Sequence, residues 1–164
     1  MRRAVIVAIL IPLAAAGCAS AEAKSPMQLR QIQSRTVEGN YENVFRSTMT
    51  VLRDNNYTIK NTDMASGLIT AEVDREASMG SQFMQALFVG TVYHKNTFIE
   101  VSATIEKINE TTQELRMNIQ ETQMNAQGGR NAIGQITNPE VYQKLFNDIL
   151  VETRRREAMG RGEQ

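Results

Sequence analysis

One cysteine and one histidine, Cys18 and His94, are the chain's whole stock of thiol and imidazole. A single thiol closes no disulfide within the chain, and no site needing several His or Cys ligands can be assembled from it. His94 sits beside Lys95 between polar neighbours and reads as a solvated loop side chain. Glu72, Asp74 and Glu76 fall on one side of an extended segment and could offer oxygens to a cation. The carbonyl and carboxylate spacing of a calcium loop is missing, so they read as a solvated strand edge. Gly128-Gly129 is too short to cradle a phosphate, and neither a GxSxG elbow nor an HExxH pair occurs. No catalytic residue, cofactor or metal is expected, and the chain does not read as an enzyme. The run Arg154-Arg155-Arg156 suits the negative end of a helix.

Cys18 remains, and its setting gives it a chemistry. Met1-Arg2-Arg3 is a short positive start, and Ala4 to Ala16 is apolar apart from Pro12. That run falls short of the ~20 residues a bilayer span needs and fits the core of a signal peptide. Small residues, Ala14 to Gly17, then lead into Cys18. The ending resembles the lipobox read by bacterial lipoprotein signal peptidase, with Ala15 where Leu is common. The resemblance implies diacylglyceryl transfer to the Cys18 thiol, cleavage before it and acylation of the new amino end. Each buried methylene of such chains contributes ~0.8 kcal/mol to anchoring, and several chains hold firmly. Ala19 stands where Asp would retain a lipoprotein in the inner membrane, so by resemblance the destination is the outer membrane, periplasmic side.

The 164 residues then divide into a leader (1–17), a lipidated tether (18–28), one α+β domain (29–157) and a disordered tail (158–164). Hydrophobic residues make up 41% and charged residues 22%, ordinary for one globular domain with a core. Basic and acidic residues balance at 18 each, so there is no basic face to hold nucleic acid. Trp is absent, with five Phe and four Tyr, which leaves few platforms for stacking bases or sugars. The expected partners are a membrane, through the N-terminal lipid, and an envelope protein.

Periodicity places the elements. Gln31 to Val37 alternates as a first strand. Asn40 is a helix N-cap, followed by Tyr41, Val44, Phe45, Thr48 and Leu52 at helical spacing. Asn55-Asn56 ends that helix. Tyr57–Asn61 and Leu68–Val73 read as a hairpin around Asp63 to Gly67. Met79, Phe83, Met84, Leu87 and Phe88 form an apolar stripe within 76–95. It is read as a short covering helix and a candidate ligand or partner surface. Thr97 to Ile108 and Leu115 to Met124 are two long alternating strands. Ala126 to Thr137 reads as a mobile loop. Asn138-Pro139-Glu140 starts a last helix whose apolar face is Val141, Tyr142, Leu145, Phe146, Ile149 and Leu150. The order β-α-β-β-(α)-β-β-α predicts an α+β two-layer sandwich, an antiparallel sheet with two long helices on one face.

Three stretches resemble an uncharacterised bacterial outer-membrane lipoprotein family with a BamC-like domain. They are RQIQSRTVEG (30–39), VFRSTMTVLRDNNYTIKNTDMASGLITAE (44–72) and NPEVYQKLF (138–146), about a third of the mature chain and in the family's order. Asn56 stands where the family has Gly before the aromatic of its hairpin. The resemblance implies a helix-grip-like domain, an accessory or scaffold role in the cell envelope and no enzyme activity. A second reading is a module holding a lipid or other apolar molecule between sheet and helix, gated by Phe83 to Phe88.

Overall fold

The computed structural model describes residues 24–74, 97–125, 127 and 129–161. The leader with Cys18, and the stretch holding Glu76, Met79, Phe83, Met84, Leu87, Phe88 and His94, lie outside the described residues, as do Gly128 and 162–164.

The first described element is a helix, α1 (Pro26–Gln33). Ser25 and Gln28 form a reciprocal capping box, and Pro26 opens the first turn with a φ already suited to a helix. That local signal overrides the alternation read from Gln31, so the first strand, β1 (Ser34–Glu38), starts three residues later. Residues 26–28, assigned to the tether, are therefore helical.

Helix α2 (Tyr41–Asp54) starts at Asn40, whose side-chain oxygen accepts from the Asn43 N–H at 2.8 Å, as its sequence position predicts. Its apolar stripe buries Val44, Phe45, Val51 and Leu52. Asn56 ends it in the left-handed region, φ 65°, where glycine and asparagine are the residues best tolerated. The Tyr57 N–H then donates to Leu52 O at 2.9 Å.

β2 (Thr58–Asp63) and β3 (Leu68–Asp74) form the expected hairpin. Asp63 closes its turn, accepting from the Ala65 N–H at 2.9 Å and the Ser66 hydroxyl at 2.7 Å. Gly67 is at φ 72°, and a Cβ there would lie 2.1 Å from Ile105 O. Only glycine fits this close approach of β3 to the next strand.

β4 (Thr97–Asn109) and β5 (Thr112–Met124) pair along nearly their full length. The sheet order is β1-β5-β4-β3-β2, antiparallel throughout. Beyond β5 the stretch read as a mobile loop contains a sixth strand, β6 (Arg130–Gln135). Asn125 builds the turn: its side-chain oxygen accepts from the N–H groups of Gln127 and Gly129. β4 occupies one edge of β5. On the other edge β1 takes Thr112–Arg116 and β6 takes Gln120–Met124. Two short strands in relay thus satisfy the edge of one long strand.

The last helix, α3, runs Pro139–Arg161. The Asn138 side chain accepts from the Glu140 N–H at 3.0 Å, so the predicted start holds. Residues 158–161, expected in a disordered tail, are helical. Arg154-Arg155-Arg156 accordingly sits a turn or more before the end and does not cap the helix. Arg155 and Arg156 pair with Glu152 at 2.6 and 2.8 Å, and Arg156 reaches Thr50 on α2 at 2.9 Å.

Helices α2 and α3 pack on one another and on one face of the sheet. The core joins Val44, Phe45 and Leu52 of α2, Tyr142, Phe146 and Ile149 of α3, and the inward-facing residues of β3, β4 and β5. The α+β two-layer sandwich with two long helices on one face is the architecture the pattern predicts. α1 and β6 are additions to it.

Candidate functional site

The sheet's second face carries no helix or strand among the described residues. Period-2 alternation puts one row of side chains per register position on it. Across β3, β4 and β5 the rows are Thr70, Ser102 and Asn118; then Glu72, Glu100 and Gln120; then Asp74, Phe98 and Thr122. This face is polar, rich in hydroxyl and amide groups, and most of these side chains are half-buried by one another.

Two of them are buried, Thr122 at 5% and Glu72 at 7% exposed, and Glu72 is the charged one, on a face without a covering layer among the described residues. Lys60, beside a bulge in β2, reaches one carboxylate oxygen at 2.5 Å. Arg130 of β6 crosses the sheet to pair with the other. On the way its guanidinium lies over the Phe98 ring, 5.1 Å from the centroid. Glu100 is directly opposite Glu72 on β4. Two carboxylates so placed repel, and the two cations offset that cost. The Arg130 hydrogen bond holds the Glu72 carboxyl below the ordinary carboxylate range, against desolvation by burial and with help from Lys60. Arg130 is raised in turn, chiefly by its bond to Glu72.

This corrects the solvated-edge reading of Glu72: β3 lies inside the sheet, and the side chain is buried and paired. With both oxygens engaged by cations, Glu72 is an electrostatic fixture rather than a proton shuttle. No group of three or more His, Cys, Asp or Glu side chains that could hold a metal occurs among the described residues.

Sequence reasoning missed Arg130 and Lys60, because the pairing depends on β6 and on the β2 bulge. The signal was there in part: Asn125 followed by Gly128-Gly129 marks a tight return, and a strand returning there carries Arg130 back along β5. The structure does not describe Cys18 or the stripe Met79, Phe83, Met84, Leu87 and Phe88. Asp74 and Phe98 are paired neighbours, so the connection bearing that stripe leaves and rejoins the sheet beside the Glu72 cluster.

Two of the larger clefts among the described residues lie away from this face. One, about 480 Å³, is lined by Gly39, Asn40, Thr111, Arg154 and Glu157. There Glu157 accepts from the Asn40 N–H at 2.9 Å and the Asn43 amide at 2.7 Å, fastening α3 to the start of α2. The other, about 510 Å³, runs between α2 and the β2–β3 turn. Between sheet and helices the core side chains interdigitate, with Tyr142, Phe146 and Met117 fully buried.

No protein-family model matches the chain, and no curated protein matches it. Among solved structures it is similar to a DUF4468 family protein from Bacteroides ovatus, with a TM-score of 0.38 and 8% identity, covering 80% of this chain and 96% of that one.

Proposed function

We propose that the protein is a non-enzymatic envelope lipoprotein, held by lipid on Cys18 and docking a partner protein on the open face of its sheet. The observation that carries the docking role is the Glu72 cluster. A charged group is nearly buried and fixed by two cations and an aromatic ring on a face with no covering layer among the described residues. Such a fixture presents a set pattern of charge at low entropic cost, which favours selective docking over affinity alone. Five strands ~4.8 Å apart and rows two residues apart give the face roughly 600 Å². That approaches the ~800 Å² each partner contributes to a standard protein interface. The lipobox-like ending supports the anchor, and the BamC-like stretches support an outer-membrane, periplasm-facing accessory role.

Photo-crosslinking in native membranes tests the docking. A crosslinking side chain at Ser102 or Asn118, on the open face, gives an adduct of one defined mass. The same group at Asp148, on the outer side of α3, does not. Adducts from Asp148 alone, or from neither face, overturn the reading.

A further inference from the structure

The chain enters the folded domain through α1, and that entry is fastened. Lys24 Nζ donates to Thr137 O at 2.8 Å, just before α3. Ser25 and Pro26 then fix the first turn of α1. Ile32 packs against the core, so α1 lies on the helix-bearing side of the sheet, beside α3 and β1. Met27 and Arg30, three residues apart, share its outer side. Met27 is 72% exposed, and Arg30 is exposed with it. Neither Lys24 nor Arg30 makes an ion pair among the described residues, and α1 contains no acidic residue. The Lys24 ammonium has three donors, and the bond to Thr137 uses one of them. Along the sequence Glu22 is the single acidic residue between Cys18 and Glu38, against Lys24, Arg30 and Arg35.

We infer that the outer side of α1 rests on the headgroups of an anionic phospholipid bilayer, with Met27 entering the headgroup–acyl boundary. The contact depends on the proposed lipid at Cys18, because the length of chain between the two decides the occupant. Six peptide steps separate Cys18 from Lys24 and span at most about 22 Å. A cysteine whose acyl chains lie in the leaflet therefore keeps α1 within that reach of the headgroups, whatever path the chain takes. At such short range the surface is at high effective concentration, and two cations suffice for a contact that a free protein would not hold. Charge complementarity selects the anionic lipid, since the cations of Lys24 and Arg30 face no carboxylate on their own helix. Met27 selects an amphiphilic surface, since a flexible thioether chain adapts to irregular apolar surroundings. A bilayer against α1 leaves the opposite face of the sheet open for a partner.

The chain contains no tryptophan, so Met27→Trp gives a single local reporter at an exposed position. The full-length protein is purified from native membranes, its mass is read for lipid, and it is reconstituted into vesicles of phosphatidylcholine with or without phosphatidylglycerol. The mass tests the anchor and the indole tests the contact, so the two fail separately. With phosphatidylglycerol the indole emission shifts to the blue and brominated acyl chains quench it. In pure phosphatidylcholine both effects are lost. Adding Arg30→Gln lowers the ratio of quenched to unquenched indole about fivefold in the anionic vesicles, the share expected of one cation near such a surface. Val151→Trp, on exposed α3 surface, stays unquenched and reports that the domain is not generally immersed. Lipid on Cys18 with an unquenched indole overturns the inference and leaves the anchor standing. Equal quenching in both lipids overturns it as well, since charge then selects nothing. A mass without lipid overturns the anchor and the contact together. A blue shift produced by a poly-glutamate peptide and not by vesicles assigns α1 to an acidic protein segment and overturns the inference.

Discussion

Glu72 is where one side chain decides most. Its carboxylate is nearly buried, and Arg130 and Lys60 hold its folded-state pKa below the ordinary 4.5. A lowered folded pKa means that the ionised form contributes stability above the unfolded value. That contribution is lost as pH falls through the lower folded value. Glu72→Gln therefore unfolds more easily at neutral pH, by about 1–2 kcal/mol, since Arg130 and Lys60 lose their counter-charge while the amide keeps part of the hydrogen bonding. Urea unfolding as a function of pH checks this. The gap between wild type and variant narrows as the pH is lowered past the carboxylate range, and a gap independent of pH contradicts the account. Asp63 and Glu152 are also lowered, by Ser66 and Arg155 respectively, so the wild type and the variant both retain some acid sensitivity. None of this could be read from position 72 alone. Alternation assigns Glu72 to the polar side of a strand, but its burial comes from a partner 58 residues away in sequence.

The elements show which signals are local. Asn40, Asn56, Asp63 with Gly67, and Asn138-Pro139 each act within a few residues of themselves, and each marks a boundary that the sequence makes legible. The strand β6 was illegible because it is only six residues long, carries Gly134 and follows a stretch rich in Asn, Gln and Gly that reads as loop. Helix α1 carried a local signal too, the Ser25–Gln28 capping box, but the alternation at Gln31 competed with it. Tyr142 ties the late elements together. Its hydroxyl donates to Ile136 O at 2.8 Å and accepts from the Ile119 N–H at 3.3 Å, joining α3 to β5 and to the end of β6. The Ile136 N–H donates to Ile119 O at 2.9 Å beside it. Tyr142→Phe keeps the ring in the core and removes both bonds, leaving buried backbone groups unpaired, at a cost of about 1–2 kcal/mol. Amide exchange localises the effect: protection falls first at 119 and around 136, while the β2–β3 hairpin is unchanged. A uniform loss across the sheet would mean that Tyr142 supports the whole core rather than this junction.

At the scale of the molecule, two faces and one end have separate tasks. The helical face builds the core, the open sheet face is proposed to dock a partner, and Cys18 is proposed to hold the chain at the membrane. Fold class was readable because long alternating runs and two amphipathic helices leave few other ways to bury their apolar sides. The Glu72 cluster was not, since a polar strand surface reads alike in the sequence whether or not a distant cation crosses it to pair. The anchor rests on sequence chemistry at the amino end, and it sets which compartment every other proposal belongs to. Mass spectrometry of the protein purified from native membranes addresses it directly. The account predicts a mature chain that begins at Cys18 with diacylglyceryl on the sulfur, and a Cys18→Ser variant that no longer incorporates a palmitate analogue. A free thiol at Cys18, or a chain that starts beyond it, would contradict the account.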